Sequence, residues 1–271
     1  MVGVVTRFAP SPTGPLHLGH AFAAYIAAEL GDRFVLRIED IDVLRCKPEW
    51  EQAIYDDLRW LGIAWAEPVF HQSSRLPLYG AALDHLTAMG LTYHCTCTRG
   101  DIRAALSAPQ EGAIGPDGPV YPGLCRAKTH TVGSVRLNMA LAMQRLGQIA
   151  FTGTGCTSGT HRYDAKHMCN HIGDIVLARH DIGTSYHLSV TVDDAAQAIT
   201  HVTRGEDLFD ATAIHVVLQR LLGYPVPQYH HHRLIRDDMG KRLAKRDDAR
   251  ALSKYRAEGA SPDDIRRMVG L

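Results

Sequence analysis

The chain has 271 residues, 45% of them hydrophobic, which is length for one large or two small domains and enough apolar material to bury a core. With 29 Lys and Arg against 29 Asp and Glu the formal charge is zero, so net charge supplies no general argument for nucleic-acid binding. The first residues lack the basic stretch and apolar core of an export signal, and the apolar run 21–28 is too short to span a bilayer. A cytoplasmic, monomeric globular protein with no membrane contact is therefore expected. Six scattered cysteines do not look like a disulfide framework, and the close pair Cys95 and Cys97 points to metal.

Residues 4–8 read as a short buried strand that runs into Ala9-Pro10-Ser11-Pro12-Thr13-Gly14, where two prolines and a glycine enforce a turn. A helix follows from near Leu16, with an alanine-rich body over 21–30 and an end at Gly31, and 33–38 has strand character. The next helix has Pro48 in its first turn, carries Trp50, Ile54, Leu58 and Leu61 at helical spacing, and closes at Gly62. This alternation predicts an α/β fold, a parallel sheet with flanking helices. Between about 93 and 170 the pattern breaks, with Gly and Pro clustered over 109–123 and a threonine-rich stretch without period over 152–160, so the region reads as an insertion. Strand-like segments return at 174–177, 186–192 and 199–203, then a helix over about 210–222 and a final amphipathic helix from about Pro262. The expected division is 1–92 and 171–228 as two halves of one catalytic domain, 93–170 as the insertion, and 229–271 as a basic loop with a helical C-terminal segment.

Two constellations carry chemistry. His17-Leu18-Gly19-His20 falls where the first strand turns into the first helix, so unpaired N–H groups and the positive end of the helix dipole can hold a triphosphate beside two imidazoles on one face. Gly19 leaves room for a nucleotide. Far along the chain, 233–256 holds nine Lys or Arg against four Asp, including Lys241-Arg242-Leu243-Ala244-Lys245-Arg246. Basic runs are commonly solvated surface, but nucleotidyl transfer needs cations over the departing pyrophosphate, and Lys245 is the candidate.

Arg7-Phe8-Ala9-Pro10-Ser11-Pro12-Thr13-Gly14, His17-Leu18-Gly19-His20, Arg37-Ile38-Glu39-Asp40, Thr203-Arg204-Gly205-Glu206-Asp207 and Arg242-Leu243-Ala244-Lys245-Arg246 together resemble the ordered motifs of glutamyl-tRNA synthetases. The resemblance runs over nearly the whole chain and implies a Rossmann-type catalytic domain of class I aminoacyl-tRNA synthetases with a zinc-bearing insertion. It also implies ATP with Mg²⁺ as substrate, catalysis by His17, His20 and Lys245, and ATP contacts from those residues and Gly19. Two positions depart from the pattern, Arg242 standing for a lysine and Ala244 for a serine. The chain stops some 25 residues after Arg246, so no anticodon-binding domain is expected. That length, with Arg45-Cys46-Lys47-Pro48-Glu49-Trp50 and Tyr121-Pro122-Gly123-Leu124-Cys125-Arg126, looks like the branch of glutamyl-queuosine tRNA(Asp) synthetases. Its members imply transfer of L-glutamate to queuosine in the anticodon loop of tRNA(Asp), a tRNA modification.

Glutamate brings two carboxylates and an ammonium. Arg7 and Arg204, at the ends of strands, suit forked contacts with carboxylate, and Glu39 suits the ammonium; Ala9, Ser11 and Tyr186 match substrate positions of the family. Cys95, Cys97 and Cys125 can close a tetrahedral zinc site with one further ligand. The resemblance supports Tyr121 there, whereas on chemistry alone His94 or His130 would be more ordinary. Cys46, Cys156 and Cys169 read as structural. His230, His231 and His232 are not a metal site, because neighbours on a strand point to opposite faces. Two rivals remain: a short synthetase that charges a tRNA 3′ end, and a non-catalytic tRNA-binding module.

Overall fold

The computed structural model describes residues 3–106, 114–236 and 250–271. The chain opens with β1 (Val5–Phe8), α1 (Leu18–Leu30), β2 (Arg33–Ile38), α2 (Pro48–Trp60), β3 (Ala66–His71) and α3 (Leu76–Ala88). β1, β2 and β3 run parallel in that order, and β1 is buried along its whole length, as a strand covered on both faces must be. Ala21, Ala24 and Ala27 on α1 pack with Phe8, Leu36 and Ile38 in one core. Their small side chains let the helix lie close to the sheet. Thr6 Oγ1 donates to the Ala27 carbonyl at 2.6 Å, and a Cβ on Gly31 would collide with that hydroxyl, so the helix must end on glycine.

The chain continues through β4 (Thr92–Cys95), α4 (Arg99–Leu106), β5 (Ile114–Gly115), β6 (Gly118–Pro119), β7 (Ser134–Leu137), α5 (Met139–Leu146), β8 (Ile149–Gly155), β9 (Gly159–Tyr163) and the short α6 (Ala165–His167). It closes with β10 (Val176–Ala178), α7 (Tyr186–Ala196), β11 (His201–Gly205), α8 (Thr212–Leu221), β12 (Gln228–His232), α9 (Leu252–Ala257) and α10 (Pro262–Met268). β11, β12 and β8 are parallel, with β9 antiparallel on the edge; β4, β7 and β10 form a separate antiparallel sheet, and β5 with β6 a hairpin. The unperiodic stretch 152–160 is thus largely a β8–β9 hairpin, and the region read as an insertion lends β8 to the sheet of β11 and β12.

β1 and β11 lie side by side. The Thr200 N–H donates to the Val5 carbonyl at 3.0 Å and the Val5 N–H to Thr200 Oγ1 at 2.8 Å. Since β2 and β11 flank β1 on opposite sides, the order of strand addition reverses at β1, and the crevice beyond the carboxyl ends of these strands is where an open α/β sheet takes its ligand.

One expected element is corrected. Residues 186–192, read as a strand, belong to helix α7. Ser185 caps it, Oγ accepting from the Leu188 N–H at 3.4 Å, and every residue from 187 to 194 is buried. A helix without a solvent face shows no 3.6-residue period, and Val190, Thr191 and Val192 then suggest a strand by propensity alone.

Candidate active site

A cavity of about 500 Å³ opens at the carboxyl ends of β1, β2, β11 and β12. Arg7, Ala9, Ser11, His17, Gly19, His20, Glu39, Tyr186 and Arg204 all line it. Arg7 and Arg204, 197 positions apart in the sequence, do not meet by local preference; the parallel strands bring them to one rim.

His17 is the N-cap of α1. Its Nδ1 accepts from the Gly19 N–H at 3.1 Å, while its own N–H donates to His20 Nδ1 at 3.2 Å, and the two rings lie 3.8 Å apart. Both Nδ1 atoms accept from backbone, so each neutral ring carries its proton on Nε2. Two imidazole donors thereby stand at the positive end of a helix, a site for phosphate oxygens.

The opposite wall is a buried ion network. Arg7 Nε donates to Asp194 Oδ1 at 3.1 Å and its Nη1 to the Thr203 carbonyl at 3.0 Å. Arg37, wholly buried, gives Nη1 to Asp194 at 2.8 Å and to Gln197 at 2.9 Å, and Nη2 to Glu39 at 3.4 Å. Asp193 takes Arg75 at 2.7 Å and the Tyr79 hydroxyl at 2.8 Å. Burial raises the Glu39 carboxyl above its ordinary range, opposed by Arg37 and Arg7. Burial acts in the same direction on Asp194, but Arg7 and Arg37 outweigh it and hold that carboxyl low. Three guanidiniums, Arg7, Arg37 and Arg75, thus balance three carboxylates, Glu39, Asp193 and Asp194.

Arg204 stands outside that balance. It is 6% exposed, and its Nη2 donates to Thr212 Oγ1 at 2.8 Å, but its Nε and Nη1 are buried without a partner among the described residues. Burial depresses its pKa. An unpaired buried cation is costly unless a ligand completes it, and an anionic group entering this cavity would do so.

Sequence reasoning left several wall residues unassigned. His232 lines the cavity, donates Nδ1–H to the Arg233 carbonyl at 2.9 Å, and keeps a buried Nε2 without a partner among the described residues, an acceptor suited to a nucleotide donor. His230 bonds Thr154 at 3.0 Å and His231 bonds Thr157 at 2.7 Å, so the three neighbouring rings diverge. Arg37 was quoted in a motif without a role, and Asp194 was missed; its sequence signal was a pair of acids, Asp193 and Asp194, inside an apolar segment. Lys245, with Lys241, Arg242 and Ala244, lies outside the described residues. The chain on either side borders the site: 233–235 line the cavity, and the Leu252 N–H donates to the Leu16 carbonyl at 2.9 Å beside a bridge from Ala251 to His17.

A second cluster sits between β4 and β7. The sulfurs of Cys95, Cys97 and Cys125 lie within 4.8 Å of one another, the one such group among the described residues. The Tyr121 hydroxyl is 3.3 Å from Cys95 Sγ and 3.4 Å from Cys97 Sγ, and Cys97 and Cys125 sulfurs are 3.5 Å apart. A tetrahedral zinc with bonds of about 2.3 Å to sulfur needs ligand separations of roughly 3.5–3.8 Å, so the donor set fits. His130 faces Thr96 at 3.4 Å, and His94 is not in the cluster. Burial pushes the Cys125 thiol up, but hydrogen bonds from Tyr121, the Thr96 backbone and the neighbouring thiols bring it down to about 6, ready as a thiolate. The Arg136 guanidinium lies 3.9 Å from the Tyr121 ring centre, a cation–π contact that fixes the ring beside the thiols, while burial and hydrogen bonds with those thiols push the phenol pKa up.

A parallel sheet with a ligand crevice at its reversal point, and imidazoles over a helix N-terminus facing an acid-and-arginine pocket, define a nucleotide-using α/β catalytic domain of the class I synthetase type. The chain belongs to the family of class I tRNA synthetases (E and Q), catalytic domain, whose sequence model matches residues 3–271. Use of ATP follows from that membership. The chain is 63% identical to a glutamyl-Q tRNA(Asp) synthetase of Rhodobacter capsulatus, over 99% of this chain and 100% of the other. It is 37% identical to a glutamate–tRNA ligase of Oleidesulfovibrio alaskensis, over 98% of this chain and 56% of that one. A crystal structure of a glutamate tRNA ligase from Elizabethkingia meningosepticum, in complex with its amino acid, superposes with a TM-score of 0.74 at 27% identity, covering 99% of this chain and 60% of that one. Among the described residues no helix is long and apolar enough to cross a membrane.

Proposed function

We infer that the protein adenylates L-glutamate with ATP and transfers the glutamyl group to queuosine in the anticodon loop of tRNA(Asp). The observation that carries the amino-acid side of this reading is Arg204, a buried guanidinium with no carboxylate contact among the described residues, set in one cavity with Glu39 and the paired imidazoles. The likeness along the full length of the Rhodobacter capsulatus relative supports the acceptor.

In the first step a glutamate carboxylate oxygen bonds to the α-phosphorus of ATP and the bond to pyrophosphate breaks. Arg204 and Arg7 hold carboxylate, Glu39 holds the ammonium, and the hydroxyls of Ser11 and Tyr186 complete the polar shell. Nε2–H groups of His17 and His20 stabilise phosphate charge, Lys245 meets the departing pyrophosphate, and His232 accepts from the nucleotide. In the second step a hydroxyl of the modified base attacks the mixed anhydride, AMP leaves, and the hydroxyl proton passes to solvent. No covalent enzyme intermediate is needed, because adenylation has already activated the carboxyl. Cys95, Cys97, Cys125 and Tyr121 would hold zinc as a structural ion, since four protein ligands leave no open position.

Exchange of labelled pyrophosphate into ATP tests the first step. Glutamate should support it and glutamine should not, because a neutral side chain leaves the Arg204 charge unpaired; no exchange with glutamate would refute the reading. The likeness to glutamate–tRNA ligases favours, as the second reading, a chain that charges a tRNA 3′ end.

A further inference from the structure

Next to the glutamate pocket lies another cavity, of about 630 Å³, which shares Ser11, Thr13, Glu39 and Tyr186 with the first. Its far wall comes from elsewhere in the chain: Cys97 of the thiol cluster, Arg99 at the start of α4, Asp117 in the β5–β6 turn, and Arg136 on β7. A group seated there borders the place where the activated carboxyl must lie.

Most charges on this wall are already matched. Asp42 pairs with Arg45 at 2.7 Å, Glu39 with Arg37 at 3.4 Å, and Arg179 with Asp181 at 2.6 Å. Arg99 and Arg136 have no carboxylate partner among the described residues; Arg136 spends Nη1 on the Asp174 carbonyl at 2.7 Å and keeps a buried Nε without a partner. Among the described residues Asp117 makes no ion pair with a guanidinium or ammonium; its carboxylate, 55% exposed, bonds the His187 ring at 2.9 Å, and the more distant charge of Arg136 helps to hold it low. The wall therefore offers, among the described residues, two guanidiniums without a carboxylate contact, Arg99 and an Arg136 stacked on Tyr121, and one largely exposed carboxylate open to a cationic partner. The complementary ligand carries phosphates and, on its base, a positive charge. A queuosine nucleotide has that chemistry: a secondary ammonium joins its base to a ring bearing two hydroxyls.

We propose that this cavity receives the acceptor nucleotide, with Asp117 binding the ammonium of the modified base and Arg99 and Arg136 binding flanking phosphates. The inference rests on the transfer reading above and adds the residue that tells queuosine from guanosine. With the ammonium at Asp117, attack requires the hydroxyl-bearing ring to reach the wall shared with the glutamate pocket, so recognition and attack would occur in adjoining chambers.

Asp117→Asn keeps the shape of an exposed turn residue and removes its charge. In the full chain, the variant should retain glutamate-dependent pyrophosphate exchange within about twofold, while kcat/KM for glutamyl transfer to queuosine-containing tRNA(Asp) falls roughly 10- to 100-fold, the range for one charge-assisted contact. Inhibition by tRNA(Asp) carrying guanosine should hardly change, so the preference for the modified RNA collapses. Arg99→Gln should reduce the salt dependence of KM for either RNA. Transfer by Asp117→Asn within twofold of the parent overturns the assignment, and so does equal loss of exchange and transfer, which would mark Asp117 as a brace for α7 through His187. Failure of the parent itself to glutamylate queuosine-containing tRNA(Asp) would instead remove the transfer reading.

Discussion

Replacing Arg204 by Met should make the ligand-free protein more stable and the enzyme nearly inactive. Methionine keeps the unbranched stem and its packing while removing the guanidinium. What is lost is the Thr212 bond at 2.8 Å and the placement 5.1 Å from the Tyr229 ring centre. These contribute roughly 1.5–3 and about 1–2 kcal/mol. Thr212 Oγ1 is not stranded, since His231 Nε2 lies 3.1 Å away. What is relieved is larger: two buried nitrogens without partners, at roughly 1–3 kcal/mol each, together with several kcal/mol for a charge held in the interior without a countercharge. The balance favours the variant by about 1–3 kcal/mol, a rise in Tm of roughly 2–5 °C for a chain of this size. Glutamate meanwhile loses two charge-assisted bonds, so kcat/KM for glutamate in pyrophosphate exchange should fall about 10²–10⁴-fold. Thermal unfolding without ligands, run beside the exchange assay, decides the matter. A Tm below that of the parent, or an exchange loss under about tenfold, would refute the reasoning that Arg204 is an unpaired charge kept for the substrate.

Lys245→Ala should lower pyrophosphate exchange roughly 10²–10³-fold with unchanged Tm, as expected for one preorganised transition-state contact, while Lys241→Ala serves as control; exchange within a few-fold would remove Lys245 from the mechanism. Purified protein should contain one zinc per chain by elemental analysis, lost in Cys125→Ser, with transfer to RNA damaged before glutamate activation; metal-free protein of full activity would contradict this. Burial raises the Asp57 carboxyl to about 6, only partly offset by Arg256 at 3.6 Å. The folded state thus binds this proton more tightly than the unfolded state does, and the ionised group destabilises the fold above that pH. Asp57→Asn should stabilise by about 2–3 kcal/mol at pH 8, with the gain shrinking through pH 6 and gone below pH 4; a gain independent of pH would show that burial of the charge is not the cause.

Legibility in the sequence followed the reach of each physical signal. The first strand, turn and helix, and the strand and helix after them, were readable because prolines, glycines and apolar spacing act within a few residues; β2 and the Pro48 start of α2 fall where expected. α7 was not, since burial on every side erases its period, and the β8–β9 hairpin hides among small residues whose pairing with β12 is a long-range fact. At the site, short ordered motifs pointed to the imidazoles, the arginines and the thiols. They could not say that Asp194 binds Arg7 and Arg37, 187 and 157 residues away, and so takes up the charge of one pocket arginine while leaving Arg204 uncompensated. His232 and Asp117 were hidden for the same reason: each acquires its role only from what the fold sets opposite it.

The central claim is the identity of the acceptor. Radiolabelled glutamate, ATP and the full chain are incubated with tRNA(Asp) prepared with and without queuosine, each with its 3′-terminal adenosine intact or removed. The account predicts label on the queuosine-containing RNA alone, and equal labelling after the terminal adenosine is removed. Label on RNA without queuosine that disappears when the 3′ end is trimmed would contradict it and identify a charging enzyme.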